Sequence, residues 1–527
     1  MNNTPLVLTI DLGTSGPKVS LFDSELRLLG SCFREVPLIF VGKNGVEQDP
    51  RLWMRRIEEC ILELRLKHAG AFSRIEAINT TAQWAGTIPL NAQGEPLGNA
   101  ILWMDSRGAP YARELMNGWI KVDGYGLFNV LRWISITGGC PTQSGKDPIS
   151  HILYLQAEQP EIYHATQSFV EPKDFLNFML TGQLCASQDS MTVHWLTDTR
   201  RIESITYSDD LIQKSGIDPK KLPPLVPVNS VLGKIRPKLA QAWGIPKNAL
   251  VIAGTPDIHS AAVGSGGVSD FIPHLYIGTS SWMVCHVPFK KTDLFHNMAS
   301  IPSGIPGRYL LVNEQQTAGG CLQFLKNQVF FPKNSVLPST VPNTLYERMD
   351  ELAQSTPEGS EGLLFFPWLN GERSPLDQNH LRGGWINLSL KHEQKHLIRS
   401  VMEGVALNSR WLMEHCERFC GAPFSSLRFI GGGALSGVWS QILANTLNRP
   451  IHRIKDPLSA NSRGVAALAW VALKKMTLEE ISSKIEIHET ILPQSQHRDL
   501  YDQNYQFFRQ FHQTNEGLFK KLNSKGA

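Results

Sequence analysis

Twice along this chain, in "LTIDLGTSGPKVSLFD" at residues 8–23 and in "YIGTSSWMVCHV" at residues 276–287, a Gly-Thr-Ser turn stands between two apolar runs. Each reads as a β-hairpin, because strand-forming runs broken by glycine and small hydroxyls favour a tight reversal. The two lie nearly half a chain apart, which hints at two similarly built halves, each offering one hairpin. A chain of 527 residues exceeds what a single hydrophobic core supports, so at least two domains are expected.

The first hairpin makes a further demand. Gly13, Thr14, Ser15, Gly16 and Pro17 supply the turn, and Asp11 closes a strand that otherwise belongs in the core. A carboxylate there needs a cation, a water shell or a hydrogen-bond donor to offset its burial. A glycine turn beside a strand-end carboxylate can hold a phosphate on its amides and a magnesium ion nearby. An ordinary tight hairpin with a solvated aspartate would read the same. Two halves facing each other could grip a polyphosphate from both sides.

Downstream, "RLLGSCFREVPL" reads as a third strand, "DPRLWMRRIEECILELRLKHAG" as an amphipathic helix starting near Asp49 and Pro50, and "RIEAINTT" as a fourth strand. Strands alternating with helices give a layered α/β domain. Helical patterns follow around residues 150–180 and 208–216, and the prolines of "PKKLPPLVPVNSVLG" suggest an extended surface connection. From "ALVIAGTPD" the strand-turn-helix grammar begins again, which sets a border near residue 250 and domains of 1–250 and 251–527.

Two segments of the second half can carry chemistry. In "VIAGTPDIHSAAVGSGGVS" a strand leads into Asp257 and a helix of small residues, Ser260, Ala261, Ala262 and Gly264. Asp257 either caps that helix or faces a cleft as a base for a substrate hydroxyl. The small residues permit close backbone packing, suited to a crowded interdomain surface or to a plain core helix. In "LRFIGGGALSGVWSQILAN" three glycines, Gly431 to Gly433, stand between a strand and a helix. Without side chains there, an adenine or a phosphate can approach the backbone, unless the run is only a flexible junction. "GGCPTQSGKD" imitates a phosphate-binding P-loop, but the spacing from Gly139 to Gly145 is one residue too long. Asp147 also stands where Ser or Thr should hold magnesium.

The 51 basic and 48 acidic residues leave a formal charge of +3 without a long basic run, so neither nucleic acid nor an anionic membrane is implied as a partner. Eight cysteines show no CxxC pair or metal-finger spacing, and Cys416 and Cys420, one helical turn apart, read as two small buried side chains. A reducing, cytoplasmic setting fits. The N-terminus lacks the pattern of a signal peptide, and no run approaches the ~20 apolar residues of a membrane span.

In order along the chain, "DLGTSGPKVSLFD", "VEQDPRLW", "PLGNAILWMDSRG", "EPKDFLNFMLTG", "AGTPDIHSAAVGSG", "YIGTSS", "NGERSP" and "GGGALSGVWSQILAN" resemble the motifs of the FGGY carbohydrate kinases, especially their xylulokinase-like branch. The resemblance runs through nearly the whole chain. It implies an α/β fold of two ribonuclease-H-like (actin-like ATPase) domains, with ATP and a small sugar meeting in the interdomain cleft. Carried over residue by residue, it makes Asp257 the base and part of the sugar site, and gives Asp11 and Asp257 to Mg2+. Gly13, Thr14, Ser15, Lys18, Gly278 and Thr279 fall in the phosphate motifs, and Gly432, Gly433, Ala434 and Asn445 in the nucleoside motif. The sugar side falls on Gln83, Trp84 and Ala85, where xylulokinases commonly read Gln-Met-His. Pro17 removes one amide from the first hairpin. The implied activity is ATP-dependent phosphorylation of a small sugar, D-xylulose before another ketopentose, a polyol or an aldonate, and a homodimer stays open. The rival class is a nucleotide-switched binding protein on an actin-like fold. Such a switch has no need of a base like Asp257 with sugar-type motifs around it.

Overall fold

The computed structural model describes residues 4–122, 124–334 and 340–523. Two mixed sheets organise it. The first has six strands, in the order Val231–Lys234, Leu250–Pro256, Ile75–Ala82, Leu6–Gly13, Gly16–Asp23 and Leu28–Phe33. The second has eight, in the order Thr292–Asp293, Met298–Pro302, Tyr309–Val312, Ser281–Val287, His274–Ile277, Leu427–Ile430, Ile451–Ile454 and Ile487–Ile491.

The two sheets repeat one plan. In each, the inner strand of the Gly-Thr-Ser hairpin runs parallel to a second strand, which runs parallel to a third, and an antiparallel strand closes that edge. On the other side each hairpin continues antiparallel into the next strand. The duplication hinted at by three residues is thus written in strand order. Leu250–Pro256 pairs with Ile75–Ala82 in the first sheet. A border at residue 250 would part this strand from the sheet it pairs in.

Strand alternation sorts the first hairpin into two faces. Leu6, Leu8, Ile10 and Leu12 enter a core with Trp53, Ile57, Ile61 and Leu64 of the helix Pro50–Lys67. That helix starts where the sequence places it, with Pro50 at its first turn and the Asp49 carboxylate accepting from the Arg51 amide at 2.9 Å. Val7 enters a different core, shared with Ala466, Ala467 and Trp470 of the helix Ala460–Ala472. Thr9 and Asp11 lie on the same face as Val7. Hydrogen bonds tie that helix to the first sheet, among them Asn79 Nδ2 to the Val465 carbonyl at 2.7 Å and Trp470 Nε1 to the Asp23 carbonyl at 3.1 Å.

The sheets are joined through two helices, Asp257–Gly264 and Ala460–Ala472, each of which follows the third strand of its own sheet. They cross antiparallel at backbone contact. A Cβ on Gly264 would lie 1.7 Å from the Ala460 carbonyl oxygen, and one on Gly464 would lie 1.9 Å from that of Ser260. The contacts are reciprocal, as a pseudo-two-fold axis between the halves requires. The small residues of "DIHSAAVG" are there for this crossing. Among the described residues, no helix is long and apolar enough to cross a membrane.

Candidate active site

Both Gly-Thr-Ser turns are held with their carbonyls tied back. In the first, the Gln48 Nε2 donates to the Thr14 carbonyl at 2.8 Å and the Val36 amide to that of Ser15 at 2.9 Å. In the second, the Gly319 amide donates to the Gly278 carbonyl at 2.8 Å, while Ala318 and Gly320 amides serve that of Thr279 at 2.8 and 3.0 Å. Among the described residues, the amides of Thr14, Ser15, Thr279 and Ser280 have no such partner. Amides left free in a turn can accept an anion. Gly16 is required, because its φ is +135° and a Cβ would lie 2.0 Å from the Arg34 carbonyl oxygen. Pro17 stands opposite Leu12, outside the two-residue turn.

Three charges meet beside the first turn. Asp11 is buried, and burial pushes its carboxyl up against the opposing pull of Lys18, Asn461 and Ser462. Lys18 Nζ lies 3.8 Å from Asp11 and donates to the Leu458 carbonyl at 2.6 Å, so this ammonium bridges the two halves. Asp257 opens its helix, and its Oδ1 accepts from the Ile258 amide at 2.8 Å. Burial first, then the negative charges of Asp11 and Glu314, push its carboxyl up to about 7. Among the described residues, no group of three or more His, Cys, Asp and Glu side chains converges as a metal site.

Of the residues the family resemblance gives to the sugar, Trp84 lies against the Asp257 helix. Trp84 is half-buried, donates from Nε1 to the Ser190 carbonyl at 2.8 Å, and meets His259 edge-on at 5.0 Å. Ala85 has a φ of +60°, a strained choice for a residue with a Cβ. Its successor Gly86 donates its amide to Glu171 Oε2 at 3.0 Å, and the other oxygen of Glu171 lies 3.1 Å from His194 Nε2. Burial raises Glu171 well above the usual carboxylate range and lowers His194 to about 3.

Gln83 does something else. It is buried, accepts from the Thr14 hydroxyl at 3.0 Å and donates to Gln48 Oε1 at 3.1 Å. Its amide therefore braces the first turn from below. Trp103 Nε1 donates to the same Thr14 hydroxyl at 3.1 Å, a contact between distant segments that no local pattern in "ILWMDSRG" announces.

On the nucleoside side the four residues differ. A Cβ on Gly432 would have only the Ile277 carbonyl oxygen near it, at 4.0 Å, so its α-carbon faces open space. Gly433 is closed off, since a Cβ would lie 2.9 Å from Ile277. Ala434 is buried, and its carbonyl accepts from Arg453 Nε at 3.1 Å. Asn445 is buried with its amide spent on Gln441 and Gln494, which fasten the helix Gly437–Leu447 to the segment at 494.

The false P-loop is an anchored turn. Asp147 accepts from the Thr142 amide and hydroxyl, both at 2.7 Å, and from Trp195 Nε1 at 2.9 Å. Next to it, Lys146 feels Arg373 and Glu314 of the other half, and burial lowers its ammonium. Among the described residues, no carboxylate comes within ion-pair distance of Lys146. Lys146, Arg373 and Glu314 are widely separated in sequence, and no local pattern announces their meeting.

Family models described as the "FGGY family of carbohydrate kinases" match this chain, the N-terminal domain over residues 6–264 and the C-terminal domain over residues 275–473. A xylulose kinase of Staphylococcus epidermidis is 29% identical over 520 residues, 98% of either chain. A gluconokinase of Bacillus subtilis is 22% identical over 481 residues, 90% of this chain and 88% of its own. Among solved structures, a gluconate kinase from Lactobacillus acidophilus superposes with a TM-score of 0.85 at 22% identity, covering 98% of this chain and 100% of its own.

Proposed function

Because the chain belongs to the FGGY family of carbohydrate kinases, on the actin-like ATPase fold and with ATP as phosphate donor, we propose that its acceptor is D-xylulose, converted to D-xylulose 5-phosphate. The observation that carries this reading is Asp257, a carboxylate raised to about 7 beside two turns with unpaired amides, in a chain similar to xylulose kinases over nearly its whole length. In this reading the turns take the phosphates, the Trp84 wall takes the carbon chain, and Asp257 orients the attacking hydroxyl and accepts its proton. Asp11 and Asp257, two acidic groups in each other's field, suit a divalent ion, and Mg2+ held there would screen the phosphate charge.

The second reading is an aldonate. It is favoured by the Lys146 ammonium, which lacks an ion-pair partner among the described residues and lies in the field of Arg373. It is also favoured by the similarity to a gluconokinase. A panel of ketopentoses, polyols and aldonates scored by ADP release separates the two. The highest kcat/KM for D-xylulose supports the first reading, and the highest for gluconate replaces it.

Two variants test the walls of the cleft. Trp84→Ala should raise the sugar KM far more than the ATP KM, because it removes an apolar surface on the acceptor side only. Equal loss on both substrates would make Trp84 a core residue whose removal disturbs the whole half. Gly432→Val places a β-branched side chain in open space, so the fold should persist while ATP affinity falls. Calorimetric titration with ATP on a variant of unchanged melting temperature is the measurement, and wild-type affinity would free Gly432 of that role.

A further inference from the structure

Asp11 stands two residues before Gly13 in the first turn, and the residue two before Gly278 in the second is Tyr276. The repeat of the fold thus sets a phenol where the other half has a carboxylate. Alternation sends Leu275 and Ile277 into the core of the second half and Tyr276 to the opposite face, against the core that the two halves share. There its ring stacks on Trp282, centroids 3.9 Å apart and planes 8° from parallel, and the indole is itself fixed by donating to His274 Nε2 at 3.0 Å.

The same ring explains two glycines. A Cβ on Gly278 would lie 2.4 Å from the Tyr276 hydroxyl oxygen, and one on Gly431 would lie 2.9 Å from the ring carbons Cδ2 and Cε2. The phenol therefore fills the space beside the second turn and beside the triple glycine. Its hydroxyl forms no hydrogen bond among the described residues. The residue is only half-buried, so the hydroxyl is open to a partner beside the second turn. Burial, followed by the charges of Asp257 and Asp11, pushes the phenol up to about 12, which keeps it a donor across the neutral range.

We infer that the Tyr276 hydroxyl donates a hydrogen bond to a phosphate oxygen of the bound nucleoside triphosphate, and that this is what completes its partnership. The inference rests on the reading of the two turns as the phosphate site. Tyr276→Phe keeps the ring, the Trp282 stack and the fit to both glycines while removing only the donor. A hydrogen bond to a charged group is lost, so ATP affinity in direct titration should fall about 10- to 100-fold. Adenosine affinity and melting temperature should stay at wild-type values. Unchanged ATP affinity would overturn the inference. Equal loss of ATP and adenosine binding would also overturn it, because it would assign the ring to packing. Since binding is read without turnover, the result stands apart from the role of Asp257. If wild-type protein bound adenosine and ATP equally, the phosphate-site reading itself would fall.

Discussion

Asp257→Asn should lower kcat by about 10²–10⁴-fold with ATP still bound, the usual contribution of a general base. Asn keeps the size and the oxygen that accepts from the Ile258 amide at 2.8 Å, so the local helix start survives. What disappears is the negative charge that orients and deprotonates the sugar hydroxyl. Asp257 therefore separates two roles that its position allows, since a mere helix-starting residue would tolerate Asn. A fully active variant would end the catalytic reading.

The pH dependence gives an independent check on the same carboxyl. With its carboxyl raised by burial and by Asp11, the base form is lost as pH falls, so kcat/KM for the sugar should decline on the acid side. The stability effect has the opposite sign. A carboxyl raised from its unfolded range binds more protons folded than unfolded, so its stabilising share is full at low pH and fades as pH rises toward 7. Nucleotide-free Asp257→Asn should accordingly melt at or above the wild type at pH 8 while being nearly inactive.

Gly464→Val should damage both stability and turnover. The helices Asp257–Gly264 and Ala460–Ala472 touch backbone to backbone, and a Cβ on Gly464 would sit 1.9 Å from the Ser260 carbonyl oxygen. Nothing flexible is available to yield, so the helices must separate, at about 1–3 kcal/mol or more for overpacking. One helix begins at Asp257 and the other carries Asn461 and Ser462 against Asp11. Their separation displaces the carboxylates from one another, and a misplacement of ~1 Å costs on the order of 10²-fold in rate. A lower melting temperature together with a lower kcat is the expected pair of results. Gly70→Ala, at a site with nothing within 4 Å, should change neither. If Gly464→Val melted and turned over like wild type, the crossing would not be the joint that sets the cleft.

Local chemistry was legible wherever a few neighbouring residues suffice. The first turn, the helix start at Asp49 and Pro50, and the small residues of "DIHSAAVG" all obey short-range rules about backbone freedom, capping and close approach. Other assignments failed to be readable for a physical reason. Whether the Gln83 amide meets a sugar or braces Thr14 depends on Gln48, and whether Asn445 is free depends on Gln494. The strand Leu250–Pro256 looks locally like the start of a new unit, yet its hydrogen bonds belong to the first sheet.

The sequence by itself determined that there are two Gly-Thr-Ser turns, that Asp11 precedes one and Tyr276 the other, and that Asp257 opens a helix of small residues, because each follows from side chains a few positions apart. Only the tertiary structure decided that these features lie beside one another. Packing through Gly264 and Gly464 draws the halves together, which places Asp257 in the field of Asp11, fastens Lys18 to Leu458, and turns Tyr276 from an ordinary strand residue into a phenol between two glycines. Charges and donors separated by hundreds of residues acquire their pKa values and partners from that packing, which no local pattern encodes.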